Sequence, residues 1–334
     1  MKKPYKIDIA VLLIFWARPE PFRKVFEQIK KARPSKLFLY QDGPRENRPD
    51  DIVKIKKCRE IAEDIDWECE VHRFYQRENL GCVPSGFIAE KWIFETEEMG
   101  IVLEDDDVPS QSFFPFCKEL LEKYKDDERI DRICGMNNTG ISEHIPYSYF
   151  FSTTSSTCGW ASWKRVVDTW DETYGFLDDA VALKQIAEIF REKGRNFDSF
   201  IKACIKRRQS GRGDPECIPG ASTILNSRLN IVATQNMICN IGVTENATHS
   251  PEDIRMMPRG IRRIFNMKTY EVEFPLKHPK YVVEDVEFRK RLYRIMGWGH
   301  PFVSSYRKCE SVLLRIRYGD FKGLWQGLLK KLDW

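Results

Sequence analysis

The sequence has no apolar run long enough to cross a bilayer. Its first apolar stretch, Ile9 to Ala17, is broken at once by Arg18, Pro19 and Glu20, at about half the length a spanning helix needs. No small-residue cleavage site follows. The stretch therefore reads as a buried strand, and the expected location is cytoplasmic. There is also no Cys-x-x-Cys pair. The 10 cysteines are scattered, which argues against a zinc site and for thiols as packing residues in a reducing compartment. A strong charge of one sign is missing too. A formal net charge of +4 is too small for a nucleic-acid footprint, yet compatible with an anionic membrane surface or a phosphorylated ligand. No internal repeat is visible.

What is present is a globular composition, 42% hydrophobic and 31% charged over 334 residues. That is enough for one large α/β domain with appendages, or for two smaller ones. Residues 7–15 have the continuous apolar character of a strand covered on both faces. Pro19 and Pro21 open a helical spacing of Phe22, Val25, Phe26 and Ile29. A strand over 36–40 ends at Gln41-Asp42-Gly43-Pro44, a turn signal. A helix over 52–65, a strand over 69–74 and a helix over 85–97 follow. Ile101-Val102-Leu103 then runs into Glu104-Asp105-Asp106-Asp107. This β-α alternation predicts a mostly parallel sheet flanked by helices. Ligands bind at the carboxyl ends of strands in such sheets, so Arg18, Asp42 and the acidic cluster are expected on one rim.

The second half is less regular. Strands are expected over 130–136 and 149–153, and helices over 179–193 and 198–208. A loop is expected over 208–216, short strands near 222–226 and 229–235, and a polar flap over 245–262. Phe302 to Trp334 mixes Val312, Leu313, Ile316 and Leu324 with several Lys and Arg. Such a tail suits an amphipathic helix on the inner membrane surface, or one docked on the protein itself or on a second copy.

Four successive carboxylates after a buried strand repel one another unless a cation neutralises them. Oxygen-only ligands suit Mn²⁺ or Mg²⁺, and such an ion would bridge a diphosphate. A solvated acidic loop or a helix cap is the plainer reading; the place at a strand end, before Val108-Pro109-Ser110 and Phe113-Phe114, favours metal.

These residues resemble the metal-binding strand end of GT-A glycosyltransferases. The run Ile101 to Phe114 is similar to the N-acetylglucosaminyltransferase I family, where Glu-Asp-Asp precedes a Phe-Phe pair at the same distance. Bacterial hemolytic protein HlpA-like sequences resemble the chain more fully, through Asn79-Leu-Gly-Cys82, Leu103 to Asp106, Gly159-Trp-Ala-Ser-Trp163 and Asn240-Ile-Gly242. The resemblance spans roughly residues 8–250. It implies a GT-A fold with a C-terminal helical tail and an inverting transfer from a nucleotide-sugar, a UDP-sugar, to a hydroxyl of a glycan or lipid-linked glycan acceptor.

By position, the resemblance makes Asp106 the metal ligand and sets Asp105 on the ribose or nucleotide side. It gives Arg18 the donor nucleotide or its phosphates, a role suited to planar bidentate recognition. Asp42 would accept from the base, or merely form the turn before Gly43, and Asn79 joins the donor side. Asp198, in Asn196-Phe-Asp-Ser-Phe200, stands where the transferase I family carries an acid flanked by aromatics. It is the candidate general base, or only a helix cap; Asp178 and Asp179 are reserves. Trp160 offers a ring for stacking on a sugar, or core packing, as Trp163 does. His249 resembles a late-chain metal or diphosphate contact.

The expected organisation is a transferase domain over 1–250, a flap and connecting segment over 251–301, and a basic amphipathic tail over 302–334. Two other functions compete. A sugar-phosphate nucleotidyltransferase would carry a Gly-rich basic loop after the first strand, where Trp16-Ala-Arg-Pro-Glu20 stands instead. A non-catalytic carbohydrate-binding or effector protein would need an export signal or a membrane-active stretch.

Overall fold

A computed structural model describes residues 2–211, 213–243, 253–321 and 323–325. The apolar run becomes β1 (Ile7–Phe15), whose alternate side chains enter two cores, one on each face of the sheet. Pro19 and Pro21 start α1 (Pro19–Ala32), where the missing N–H groups cost nothing, and Phe22, Val25, Phe26 and Ile29 are buried. Next come β2 (Pro34–Gln41), α2 (Pro49–Ala62), β3 (Glu70–Tyr75), α3 (Cys82–Thr96) and β4 (Met99–Glu104). The short β5 (Asp107–Pro109) leads into α4 (Phe113–Lys123), with Phe113 and Phe114 in the first core.

After β6 (Ile130–Cys134), β7 (Tyr149–Ser152) and β8 (Trp160–Trp163) come the short α5 (Lys164–Val167), α6 (Ala180–Glu192), α7 (Phe197–Ser210) and α8 (Cys217–Leu225). Two strands, β9 (Leu229–Ala233) and β10 (Ile238–Asn240), are followed by α9 (Arg259–Arg262), α10 (Val286–Met296) and α11 (Pro301–Arg317).

The large sheet has the order β3-β2-β1-β4-β8-β6-β9-β7. From β3 to β4 all neighbours are parallel, β8 is antiparallel to β4 and β6, and β7 is an antiparallel edge. The class is thus α/β with a mostly parallel sheet. A separate ribbon pairs β5 with β10 and sets Asp107 opposite Asn240. The segment after residue 253 is not a detached connector, because α10 packs Phe288 on Phe150 of β7.

Two local expectations are corrected. Residues 222–225 lie in a helix rather than a strand, with Asn226 as its C-cap, because Pro219 occupies the first turn of α8, where an N–H is not needed. The loop expected from 208 starts only at Gly211, the left-handed cap of α7. Of the expected flap, 245–252 lie outside the described residues, and the rest includes a 3-10 turn (Ile254–Met256) and α9.

Candidate active site

Parallel pairing sets the ends of β1, β2 and β4 level, with Phe15 opposite Gln41 and Ile14 opposite Glu104. The chain leaving each strand therefore opens onto one rim. Trp16 donates its indole N–H to the Gly43 carbonyl at 2.8 Å, tying the first turn to the second. Close approach explains Gly43: a Cβ there would meet the Glu78 backbone at 2.5 Å.

Arg18 joins the first turn to the acidic cluster. Its guanidinium donates to both oxygens of Asp105 and forms a 3.0 Å ion pair with Asp106 Oδ2. Burial opposes its charge, but the two carboxylates outweigh this and raise its pKa. Arg18, Asp105 and Asp106 are thus brought together. Asp42 and Asn79 form a second group beside them. The buried Asp42 carboxylate accepts from the N–H of Gly43, Leu80 and Gly81 and from Asn79 Nδ2, at 2.9–3.0 Å. Burial raises its pKa against the pull of those donors. Asp42 therefore builds the loop that carries Asn79, and its acceptor sites face that loop.

The rest of the cluster is short of positive charge. Asp107 is fully enclosed; burial first, then Asp106, pushes its pKa to about 8, although Asn240 and the Gly159 N–H donate to it. Glu104 is exposed to the cleft, yet dense protein around it strips hydration and raises its pKa, with Asp106, Asp107 and Asp105 adding to the rise. Of the four carboxylates, Asp105 and Asp106 are paired with the Arg18 guanidinium. Asn240 also donates to Asp106 at 3.3 Å, and a Cβ at Gly242 would collide with Asp106 Oδ2. Among the described residues no group of three or more His, Cys, Asp or Glu is arranged for a metal. The donor set fits an ion of the Mg²⁺ type, which uses one or two carboxylates and takes its other ligands from phosphates and water. His249 lies outside the described residues.

Trp160 offers no open ring. It is 3% exposed, packed on Phe94 with Arg132 over its face at 4.8 Å. As a strand, β8 sends Trp160 and Trp163 to opposite faces of the sheet, so the two cannot form a joint sugar platform. Asp198 is exposed in the first turn of α7 and is not among the residues lining the cavity beside the cluster. Of the reserves, Asp178 pairs with Arg208 and Asp179 caps α6.

A different acid occupies the cavity. Glu216 lines a space of about 390 Å³ whose walls include Asn240 and Cys158 from beside the acidic cluster, with Arg132 and the hydroxyls of 153–157. Buried Asp214 fixes its loop, accepting from the N–H of Glu216 at 2.9 Å and of Cys217 at 2.6 Å and pairing with Arg207 at 2.6 Å. The sequence signal was Asp214-Pro-Glu216 opening a helix, which reads equally as a cap.

Behind this wall, Glu90 on α3 is 7% exposed and its Oε2 has no hydrogen-bond partner. Burial raises its pKa to about 8 despite Arg132. An unfolded glutamate ionises near its ordinary value, so folding becomes costlier as pH rises from about 4.5 to 8, and below that window both states are neutral. Glu90→Gln removes the cost. Denaturant titrations should show the wild type losing on the order of 3–5 kcal/mol more than the variant between pH 4.5 and pH 8.

No family model matches the chain, and no curated protein does. Solved structures to which it is similar include HddC from Yersinia pseudotuberculosis, at 12% identity, 48% of this chain, 79% of that chain and a TM-score of 0.29. A 4-diphosphocytidyl-2C-methyl-D-erythritol synthase from Anaerococcus prevotii matches at 9% identity, 52% and 77% coverage and a TM-score of 0.28. An apo UDP-glucose pyrophosphorylase matches at 9% identity, 70% and 93% coverage and a TM-score of 0.34. At scores this low the likeness says nothing of chemistry.

Proposed function

We propose that the chain is a glycosyltransferase of the GT-A type, as its likeness to the N-acetylglucosaminyltransferase I and HlpA-like families implies. It takes a sugar from a UDP-sugar and passes it to a hydroxyl of a glycan or lipid-linked glycan. The observation that carries this reading is Arg18 bridging to Asp105 and Asp106 where β1 and β4 end. A guanidinium on that rim suits a diphosphate. Asp106 would hold Mn²⁺ or Mg²⁺ together with donor phosphates. The ion, when bound, offsets the negative charge of the leaving diphosphate. The loop fixed by Asp42 presents Asn79 to the nucleotide.

Glu216, rather than Asp198, is the base of this mechanism. As the acceptor oxygen bonds to the anomeric carbon, the carbon–oxygen bond to the β-phosphate breaks and the nucleoside diphosphate departs. The acceptor proton goes to Glu216. Glu216→Gln should lower transfer by about 10²–10⁴-fold and leave the Kd for donor unchanged, as read by product formation and titration.

The same rim would serve a sugar-phosphate nucleotidyltransferase, and product identity separates the two. Purified protein is incubated with UDP-, GDP-, CMP- and dTDP-sugars and Mn²⁺, with and without pyrophosphate, and the nucleotides are resolved by chromatography. UDP release from a UDP-sugar is expected. UTP formed only when pyrophosphate is present would give nucleotidyl transfer instead, and no turnover of any donor would contradict both.

A further inference from the structure

The last helix leaves an apolar stripe uncovered. Along α11, Phe302, Tyr306, Cys309, Leu313 and Ile316 recur at intervals of four and three residues and are all exposed, so they share one side of the helix. Phe302 is 89% and Leu313 66% accessible. Phe321 and Trp325 continue the exposure beyond the helix. The half-buried Val303, Arg307, Glu310 and Leu314 fall on another side, which lies on the body. There Arg307 donates to the Arg294 carbonyl at 3.3 Å, Glu310 accepts from the Arg259 N–H at 3.1 Å, and Arg255 sits over the Tyr318 ring at 5.1 Å. Docking on the protein's own core thus occupies one side of α11 and leaves the apolar one free.

The charge distribution says what covers it. Residues 301–334 hold seven basic and three acidic side chains, so they carry the whole formal charge of +4, and the 300 residues before them balance. Exposed Arg259 and Arg263 lie on the segment under and beside the helix, where Arg255 is paired with Asp253 at 2.7 Å. On α11 itself Lys308 and Arg317 are exposed, and positive charge beside an apolar stripe with aromatic residues matches an anionic lipid surface. A second copy would bring two segments of charge +4 together.

We propose that α11 and the arginines beside it dock the protein on a bilayer rich in anionic lipid. The start of the helix supports a use for this. His300, Pro301 and Ser304 line a cavity of about 740 Å³ that shares Glu216, Arg195 and Trp298 with the cavity beside the acidic cluster. Docking would hold that opening next to the lipid headgroups. The membrane claim itself does not rest on the proposed chemistry.

The test is flotation of the full chain with vesicles of phosphatidylcholine alone or with about one third phosphatidylglycerol, alongside sedimentation velocity without lipid. Binding to the anionic vesicles is expected to exceed binding to neutral ones by about tenfold or more and to fall with salt. The double variant Leu313→Ser, Ile316→Ser should lose it, while keeping the wild-type unfolding transition, because both side chains are exposed. Three results would overturn the proposal: no flotation, equal flotation with neutral vesicles, or a dimer abolished by the double variant without lipid binding. The third would assign the stripe to a second copy.

Discussion

Replacing Arg18 by alanine is expected to cost about 3–5 kcal/mol of stability and to lower donor turnover by at least about 100-fold. Among the described residues Arg18 is the cation paired with the acidic cluster, and it neutralises two of its carboxylates directly. Removing it leaves Asp105 and Asp106 buried beside each other without a counter-charge, which costs more than the pair itself is worth. The two losses can be separated. Adding Asp105→Asn to Arg18→Ala removes one of the stranded charges, so stability should recover in part, while turnover should not. Arg18→Lys keeps the charge but cannot donate to both oxygens of Asp105 and to Asp106 at once, so an intermediate loss is expected. Denaturant midpoints and kcat/KM on the wild type, Arg18→Ala, Asp105→Asn and the double variant form the required cycle, with Arg18→Lys measured beside it.

Asp42→Ala should be nearly as damaging, by a different route. One carboxylate accepts from three backbone N–H groups and from Asn79. Without it, buried donors in the turn after β2 and in the loop at 79–81 lose their partner, at about 1–3 kcal/mol for each group that water cannot reach. A loss of about 3 kcal/mol or more follows, visible as a lower Tm. If that loop forms the nucleotide side of the rim, as proposed above, KM for donor should rise more than kcat falls. Asp42→Asn should recover part of the stability, since its carbonyl accepts while its amide opposes the remaining N–H groups.

The first half of the chain was legible because its signals are local and repeated. Continuous apolar runs, proline at helix starts and turn residues at strand ends predict β1 to β4 and their helices, and parallel strands must open their turns on one edge. That brings Arg18 to Asp105 and Asp106, and Asn79 to Asp42. The misreadings come from signals with two meanings. The apolar stretch near 222–226 reads as a short strand, yet Pro219 stands in a first helical turn, where it is harmless, and α8 runs through it. Trp160 and Trp163 make a pair three residues apart, which share a face on a helix and oppose each other on a strand. Asp198 and Glu216 are both acids at helix starts, which the sequence does not tell apart; of the two, Glu216 lines the cavity beside the cluster. The uncovered stripe of α11 was legible as a pattern; its orientation away from the body was not.

The central claim is that the shared rim of β1 and β4 holds a nucleoside diphosphate through Arg18, Asp106 and a divalent ion. Calorimetric titration of UDP tests it most directly, with Mn²⁺ or with chelator, into the wild type and into Asp106→Asn. Saturable 1:1 binding is predicted for the wild type with Mn²⁺, weaker by about tenfold or more in chelator and in the variant. UDP binding of equal strength in all of these, or no binding to the wild type with metal, would contradict it.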